Sequence, residues 1–425
     1  MKVKVSDIAI INRCSIGDKC KIEKIKYLDT GSIIEGNIIE YKDLQVGRDI
    51  IPSRAKRLVK DNTILYSAVR PRLCHYGILD KPAENTVVST GFITIDAIKE
   101  KVDPYYLYCK LIKREMTEYL ASIADTAVSS YPSINPSDLG NLEIDIIDDI
   151  HKQEEISILF KNVENKIKNN NKINFELESM AKTIYDYWFL QFEFPNEEGK
   201  PYKSSGGKMV WNKELGREIP EGWEVKNIFE CMDVIYGVPL STELFNKAEG
   251  IPIIRIRDIL NNTVSAKTVE DVDEKYLSKK KDLLIGMDGN FHMNFWSNDG
   301  DCINQRIVRI RDANKKVSSL QAYYEIAPYI KAREGNVARS TVGHLSDRDM
   351  KQLKILVPDR MYIYKYFNSI LEEMCINKSE NRYLASLRDF LLPLLMNGQV
   401  GFKENVGEKE MEAGKEEVAA SVHGK

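Results

Sequence analysis

The strongest constraint in this sequence is a stretch that occurs twice, far apart along the chain. The first copy, "AVSSYPSINPSDLGNLEIDI", covers residues 127–146, and the second, "ARSTVGHLSDRDMKQLKILV", covers residues 338–357. The copies align without a gap, so that Asp138 stands opposite Asp349 and Ile144 opposite Ile355. Internal similarity is a signature of repeated structural units, so the chain is predicted to contain two related modules.

The similarity extends to apolar, alternating runs that precede each copy. "TILYS" (63–67) matches "DLLIG" (282–286), and "GFITI" (91–95) matches "RIVRI" (306–310). Runs of this kind between turn residues predict short β-strands. The sequences between the matched runs differ almost completely. Further strands are predicted in "TVVS", "NLEIDII", "IPIIRIRDI", "CINQRIVRI" and "QLKILV".

Each module also contains one shorter helical segment. In "VDPYYLYCKLIKREMTEYLASIA" (102–124), Asp103 is a suitable N-cap and Pro104 occupies the first helical position. These signals predict one helix in the first module. The second module has a comparable helix in "SLQAYYEIAPYIKARE" (319–334).

A long helix is predicted after each module, at 151–194 and 359–402. Apolar residues recur at intervals of three and four in both, as in the seam of a coiled coil, and the polar "KNNNK" (168–172) is expected to loosen one turn. The two helices are expected to pack as an antiparallel coiled coil with pseudo-twofold symmetry. The predicted seam of the first comprises Ile156, Leu159, Phe160, Val163, Ile167, Ile173, Leu177, Met180, Ile184 and Tyr187.

Composition and motifs favour a non-catalytic protein of the cytoplasm. The seven cysteines are scattered with no C-x-x-C pair, which argues against a disulfide scaffold and a zinc site. No apolar run approaches the ~20 residues of a membrane span. "VDPYY" lacks the second proline of the adenine-methyltransferase motif, and "KSSGGK" lacks the P-loop spacing. We therefore expect no catalytic residue, metal or cofactor. Because the net charge is −3, contact with DNA would require local basic patches.

Several segments, taken in order, resemble the DNA-specificity subunit of type I restriction-modification systems. They are "ILYSAVRPRLCHYGIL", "SSYPSINPSDLGNLEIDI", "IYDYWFLQFEFP", "GREIPEGWEV" and "LLIGMDGNFHMNFW". The resemblance implies two target-recognition domains that each recognise half of a bipartite, asymmetric site in double-stranded DNA. It also implies that the helices space these domains and bind two copies of a methyltransferase (modification) subunit, which motor-nuclease (restriction) subunits join. The specificity subunit itself would catalyse nothing.

The predicted organisation is a mixed α/β (α+β) fold of tandem β-rich domains, each followed by a long helix. Its segments are a first recognition domain (1–150), a spacer helix (151–194), a second recognition domain (195–358, with a connector at 195–222), a second spacer helix (359–402) and a disordered charged tail (403–425).

Candidate DNA contacts lie in loops with basic, amide or hydroxyl side chains, which can bind phosphates or base edges. In the first module they are Arg54, Lys56, Arg57, Arg70, Arg72, His75, Tyr76, Ser129, Ser130 and Tyr131. In the second module they are Arg255, Arg257, Asn290, His292, Asn294, Lys331, Arg333, Asn336, Arg339, Ser340 and Thr341. Arg255 and Arg257 are expected on the same face of a strand.

Structural alternatives remain open for these segments. "AVRPRLCHYG" (68–77) could be a solvated hairpin tip, "SRAKR" (53–57) a solvated loop, and "MDGNFHMNFW" (287–296) a glycine turn with packed Phe291 and Trp296. The hydroxyl groups could cap the turn that follows them. For the whole chain, the alternatives are a coiled-coil adaptor without a DNA role and a stand-alone nuclease.

Overall fold

A computed structural model describes residues 1–16, 23–126, 132–246, 248–335 and 343–401. The chain divides into two compact units. The first unit comprises residues 1–163 together with the chain from Leu387 onward, and the second comprises residues 164–386. Each long helix therefore contributes to both units.

The first unit is built on two four-stranded sheets with the orders β2-β11-β8-β9 and β6-β3-β10-β7. Its strands are β1 (Lys2–Lys4), β2 (Ala9–Ile11), β3 (Lys24–Leu28), β4 (Ile33–Ile34), β5 (Asn37–Ile38), β6 (Lys42–Gln45), β7 (Ala55–Leu58), β8 (Ile64–Ser67), β9 (Tyr76–Ile78), β10 (Thr86–Ser89), β11 (Phe92–Ala97) and β12 (Glu143–Asp145). Its helices are α1 (Val5–Ile8), α2 (Pro104–Leu111), α3 (Arg114–Asp125), α4 (Pro136–Gly140) and the start of α5 (Ile150–Tyr185).

The second unit also has two four-stranded sheets, with the orders β16-β23-β20-β21 and β17-β19-β18-β22. Its strands are β13 (Met209–Asn212), β14 (Arg217–Pro220), β15 (Glu224–Asn227), β16 (Met232–Tyr236), β17 (Phe245–Asn246), β18 (Ile251–Ile254), β19 (Ala266–Thr268), β20 (Leu283–Gly286), β21 (Met293–Phe295), β22 (Cys302–Ile303), β23 (Ile307–Asp312) and β24 (Lys354–Val357). Its helices are α6 (Ile228–Cys231), α7 (Ile256–Ile259), α8 (Ser319–Gly335), α9 (Asp347–Met350) and most of α10 (Met361–Met396).

The two units share the strand pairing of one four-stranded sheet and of three strands of the other, whereas the edge strands β7 and β17 have no counterpart among the described strands. In the first, β11 pairs antiparallel with β8, with Phe92 opposite Ser67; in the second, β23 pairs with β20, with Ile307 opposite Gly286. A parallel pair of strands also occurs in each unit, β3–β10 in the first and β18–β22 in the second. The registers reproduce the matches of 63–67 with 282–286 and of 91–95 with 306–310, so the predicted duplication is confirmed at the level of strand pairing.

The described part of the duplicated stretch, residues 132–146 and 343–357, forms the same connection in each unit. Asp138 and Asp349 both complete capping boxes, with Asn135 at the start of α4 and with Ser346 at the start of α9. Each short helix leads into a strand, and that strand pairs antiparallel with an earlier one: β12 with β1 in the first unit, and β24 with β15 in the second. A long helix follows at once. The repeated residues therefore close each β-rich unit and begin its helix.

The segment predicted as a connector at 195–222 contains the antiparallel hairpin β13–β14. Its neighbours are anchored by aromatic stacking, with the rings of Phe194 and Trp223 4.9 Å apart and those of Phe194 and Tyr202 4.6 Å apart. Among the described elements of the first unit, nothing corresponds to this hairpin.

Two predictions of local structure are wrong in part. The helix predicted at 102–124 is two helices, α2 and α3, although Asp103 caps α2 as expected by accepting a hydrogen bond from the Tyr106 N–H at 2.8 Å. The strand predicted in "IPIIRIRDI" ends at Ile254, where Arg255 becomes the N-cap of α7. There Asp258 accepts the Arg255 N–H, a local bond that starts a helical turn instead of extending the sheet.

The long helices α5 and α10 pack antiparallel within the second unit, since Asn170 bonds Asn381 while Asn174 bonds Asn377. The early seam positions Ile156, Phe160 and Val163 are buried as predicted. The later seam is wrong in part: Leu177 and Ile184 pack against the core as predicted, but Ile173, Met180 and Tyr187 are exposed. The buried positions in their place are Asn170, Asn174 and Ala181.

An amide network replaces the loosened turn expected at 168–172, where α5 is continuous. The Asn170 amide donates to the Glu380 carboxylate at 2.7 Å and to Asn381 Oδ1 at 2.9 Å. Asn174 donates to the Met374 carbonyl at 3.1 Å and accepts from Asn377 Nδ2 at 2.9 Å. Buried amides at a helix interface are stable only when paired, so this network favours one register of α5 on α10.

Replacing Asn174 by alanine should cost about 1–3 kcal/mol, because the buried Asn377 amide then lacks its partner. The double variant Asn174→Leu/Asn377→Leu should recover stability, because both polar groups are gone, while losing the preference for one register. Urea unfolding measures the first effect, and disulfide cross-linking of cysteines placed along the two helices measures the second. Equal stability of the single and double variants would contradict the assigned role.

Glu325 of α8 lies against β24, where its carboxyl oxygens accept the Leu356 N–H at 2.7 Å and Gln321 Nε2 at 2.8 Å. Burial raises the pKa of Glu325 from its ordinary 4.5 to about 8. The folded state thus holds a proton that the unfolded state releases above its lower pKa.

The stability of the second unit should therefore fall as the pH rises. The contribution of Glu325 is complete below pH 4.5 and is lost progressively until the pH passes about 8. Urea unfolding at several pH values across that window measures the slope. Glu325→Gln, which keeps an acceptor for the Leu356 N–H, should flatten it; an unchanged slope in this variant would assign the pH dependence elsewhere.

Candidate nucleic-acid interface

Three segments of the second unit meet at one end of its sheets. They are the short helix α7, the β20–β21 loop and the β22–β23 turn, and they surround an open cleft of about 480 Å³. The cleft is lined by Arg255, Ile256, Arg257, His292, Asn304, Gln305 and Arg306. The predicted contacts Arg255 and Arg257 are therefore neighbours in the fold of His292, which is 35 residues further along the chain.

One wall of the cleft is organised around Asp288. Its carboxylate lies 2.7 Å from His344 Nδ1 and 3.6 Å from Arg306 Nε. Arg306 itself has a φ of +69°, a left-handed conformation that few residues other than glycine adopt. The turn is held by backbone bonds from Met287 N–H to the Arg306 carbonyl and from Gln305 N–H to the Val238 carbonyl, both 2.8 Å. The backbone of Arg306 is thus held by the hydrogen bonds of the turn, and its side chain is oriented by the ion pair with Asp288.

Several cleft side chains are not used by the fold. Within the described ranges, the side chains of Arg257, His292 and Gln305 make no hydrogen bond or ion pair, and neither does that of Asn290 in the adjoining β20–β21 loop. Arg257, Asn290 and Gln305 are exposed and His292 is half-buried. Guanidinium, imidazole and amide groups in one concave surface can bind phosphates and base edges.

Two predicted contacts in this region, Asn294 and Arg255, also have structural roles. Asn294 Nδ2 donates to the Ile259 and Leu260 carbonyls, both at 2.9 Å, while its Oδ1 accepts from Lys378 Nζ at 2.7 Å. Arg255 caps α7 and bonds Asp258 and the Ser265 hydroxyl. Their polar atoms are therefore engaged within the protein, in positions that shape the cleft.

The packing alternative proposed for 287–296 also holds in part. Phe291 and Trp296 are buried, and Trp296 Nε1 donates to Asp301 at 2.9 Å. The loop therefore combines a packed aromatic base with the exposed Asn290 and half-buried His292.

Two further basic residues among the predicted contacts, Lys331 and Arg333, lie on α8. Arg333 Nε donates to Asp349 at 3.0 Å and so joins α8 to the capping box of α9. Lys331 is exposed and borders a different groove, near Phe175 and Tyr323. The predicted contacts Asn336, Arg339, Ser340 and Thr341 lie outside the described residues.

In the first unit, the 68–75 loop occupies the place of the β20–β21 loop. Arg70 is exposed, whereas Arg72 is held by Glu118 at 3.0 Å and Asp125 at 2.8 Å, both on α3. The loop is thus a folded turn with an anchored arginine.

Neighbouring predictions in the first unit have different outcomes. The Tyr76 ring is 8% exposed and stacks on Tyr66 at 5.9 Å, so it belongs to the core and not to a surface that contacts DNA. His75 is half-buried, and burial lowers its pKa. The predicted contacts Ser129, Ser130 and Tyr131 lie outside the described residues.

The basic run at 53–57 is largely a strand. Lys56 and Arg57 lie on β7, at the edge of its sheet, and Arg54 precedes it. Arg54 and Lys56 are exposed, whereas burial lowers the pKa of Arg57. Its Nε atom is buried and lacks a hydrogen-bond partner among the described residues. Arg54 and Lys56 remain available to a phosphate backbone.

Sequence reasoning missed Asn304, Gln305 and Arg306, because "CINQRIVRI" was interpreted as one strand. A signal was present: the match of "GFITI" with "RIVRI" places Gly91 opposite Arg306. A glycine at that point of one copy indicates a turn in both.

The described residues contain no group of three or more His, Cys, Asp or Glu side chains placed to hold a metal ion. None of the helices in the described ranges is long and apolar enough to cross a membrane.

The chain is similar to known proteins over most of its length. A family model described as "Type I restriction modification DNA specificity domain" matches residues 1–179 and 220–378. The HindI specificity subunit of Haemophilus influenzae is 25% identical over 442 residues, covering 88% of this chain and 94% of that protein. The MjaIX specificity subunit of Methanocaldococcus jannaschii is 25% identical over 364 residues, covering 82% and 80%.

Among solved structures, the S subunit of a type I restriction-modification system from M. genitalium has the same fold, with a TM-score of 0.55 and 15% identity over 93% of this chain and 96% of that one. The predicted α/β fold of tandem β-rich domains, each followed by a long helix, is confirmed.

The chain belongs to the family of type I restriction-modification DNA specificity domains. It is a specificity subunit, the component that recognises DNA, and not an enzyme. The adaptor and nuclease alternatives are not favoured.

Proposed function

We propose that the chain selects a bipartite, asymmetric site in double-stranded DNA, with each β-rich unit recognising one half-site. One observation carries this proposal: the two units share strand registers, yet the side chains at corresponding loop positions differ. Two related frameworks suit two segments of one duplex. Different loop chemistry then suits two different base sequences, because base contacts specify while phosphate contacts position.

We propose further that two copies of a methyltransferase subunit bind the long helices, and that motor-nuclease subunits join them in the cytoplasm. Large apolar side chains on these helices remain exposed, with Phe175 at 69% and Phe390 at 67%. Exposed apolar surface of this kind is typical of protein-binding sites. The side chains in question are Ile158, Ile173, Phe175, Met180, Ile376, Tyr383 and Phe390.

Co-expression with the partner methyltransferase in a methylation-free host tests the proposal. Genome-wide mapping of N6-methyladenine should show one split motif, two short half-sites separated by a fixed gap. A co-purifying complex that methylates nothing, or a continuous motif without a gap, would contradict it.

A further inference from the structure

The strand registers place His75 and His292 at the same point of the framework. Tyr66 pairs with Tyr76 in β8–β9, and Ile285 pairs with Met293 in β20–β21. Since Ser67 corresponds to Gly286, Tyr66 corresponds to Ile285 and Tyr76 to Met293. The histidine before each strand is therefore the same position, and both are half-buried. The chain has five histidines in 425 residues, so this coincidence is informative.

The other cleft positions differ between the units. Phe92 corresponds to Ile307, so Gly91 corresponds to Arg306 and Thr90 to Gln305. Leu28 and Ile254 correspond through the two parallel strand pairs, which places Asp29 opposite Arg255 as the residue that caps a short helix in each unit. Two residues further on, Gly31 stands opposite Arg257.

The two halves of an asymmetric site differ in their bases but share the sugar-phosphate backbone. A side chain kept at the same point of both units fits what the halves share, whereas side chains that differ fit what distinguishes them. We propose that His75 and His292 each donate a hydrogen bond to the DNA backbone, and that Arg257, Gln305 and Arg306 determine the bases of one half-site.

The chemistry of the three variable residues suits base edges. An arginine fork fits guanine O6 and N7 in the major groove, and a glutamine amide fits adenine N6 and N7. Arg306 is guided by Asp288, itself held by His344, which reduces the freedom that it would lose on binding. In the first unit the corresponding residues are Gly31, Thr90 and Gly91, none of which has a long polar side chain, so its half-site must be recognised by other residues.

This inference rests on the proposed function, so the test begins from the split motif of the wild-type complex. The decisive variant gives the second unit the residues of the first, Gln305→Thr with Arg306→Gly. Glycine suits the left-handed conformation at 306, so the turn should persist. We expect discrimination at the contacted positions of one half-site to fall about tenfold or more, with the other half-site and the gap unchanged. Arg257→Ala should likewise reduce discrimination between bases in the same half-site.

The histidines need a different readout. His292→Ala should weaken binding to cognate and unrelated duplexes by the same factor, about two- to tenfold, without changing the motif. His292→Gln, which keeps an N–H donor, should restore binding, and the His75 pair of variants should behave alike. Lys213→Ala, on the exposed β13–β14 turn, is the control.

The outcomes separate the two proposals. A wild-type complex without a split motif contradicts the proposed function. A wild-type split motif that the Gln305→Thr/Arg306→Gly variant retains in full overturns the assignment of the specificity residues. Altered bases in His292→Ala, at an unchanged thermal midpoint, overturn the backbone role of the histidine.

Discussion

Replacing Arg311 by methionine should destabilise the second unit by about 3–5 kcal/mol, because the buried Asp282 carboxylate then loses the arginine that pairs with its charge and keeps only the Lys279 N–H. Arg311 Nε and Nη2 bind Asp282 Oδ1 and Oδ2 at 2.6 and 2.7 Å, and the Asp282 side chain is fully buried. Nη2 also donates to the Leu277 carbonyl at 3.0 Å. Urea unfolding measures the loss.

The matched control is Arg311→Met/Asp282→Leu, which removes both charges and should lose much less. The first unit supports this interpretation, since Thr63 and Asp96 occupy the corresponding positions and form a hydrogen bond of 2.6 Å. The framework thus accepts different polar pairs there, provided that each is complete. A single variant as stable as the double variant would show that the ion pair does not support the fold.

Shortening both long helices by one matched heptad should reduce the gap between the half-sites by about three base pairs. Residues 165–171 lie opposite 380–386, as the bonds from Asn170 to Asn381 and from Asn174 to Asn377 require. A heptad spans about 10 Å of helix, and successive base pairs are about 3.4 Å apart. The half-site sequences should stay unchanged, because the deletion leaves the loops intact.

Methylome mapping of the shortened chain with its methyltransferase checks this expectation. The control removes residues 165–171 alone, which breaks the pairing of α5 with α10 and should abolish methylation. An unchanged gap after the matched deletion would show that helix length does not set the spacing. Altered half-sites would contradict the modular division of the chain.

Features with a local physical cause were predictable from the sequence. Asp103 and Pro104 mark the start of α2 because an N-cap acts within one helical turn. The duplicated connection was visible because Asp138 and Asp349 cap turns formed by their immediate neighbours. Strand matches were visible for the same reason, since β-branched runs are local and both copies retained them.

Features that depend on distant partners were not predictable. The sequence predicts that Asn294 contacts bases. In the structure its amide forms hydrogen bonds with Lys378, Ile259 and Leu260, which are distant in sequence. Arg72 resembles a phosphate ligand until α3 supplies two carboxylates. In α5 the apolar pattern predicted that Ile173 and Met180 would be buried. Instead Asn170 and Asn174 are buried, because Glu380 and Asn377 of α10 form hydrogen bonds with their amides.

The sequence by itself thus determined that this protein is a duplicated pair of β-rich units with long helices, because strand runs, caps and heptads are written in neighbouring residues. Only the tertiary structure decided which polar side chains form hydrogen bonds within the protein and which remain unbonded in the cleft. The physical reason is that a guanidinium or amide is satisfied by whichever group the folded chain brings within hydrogen-bond distance, and that group is seldom close in sequence.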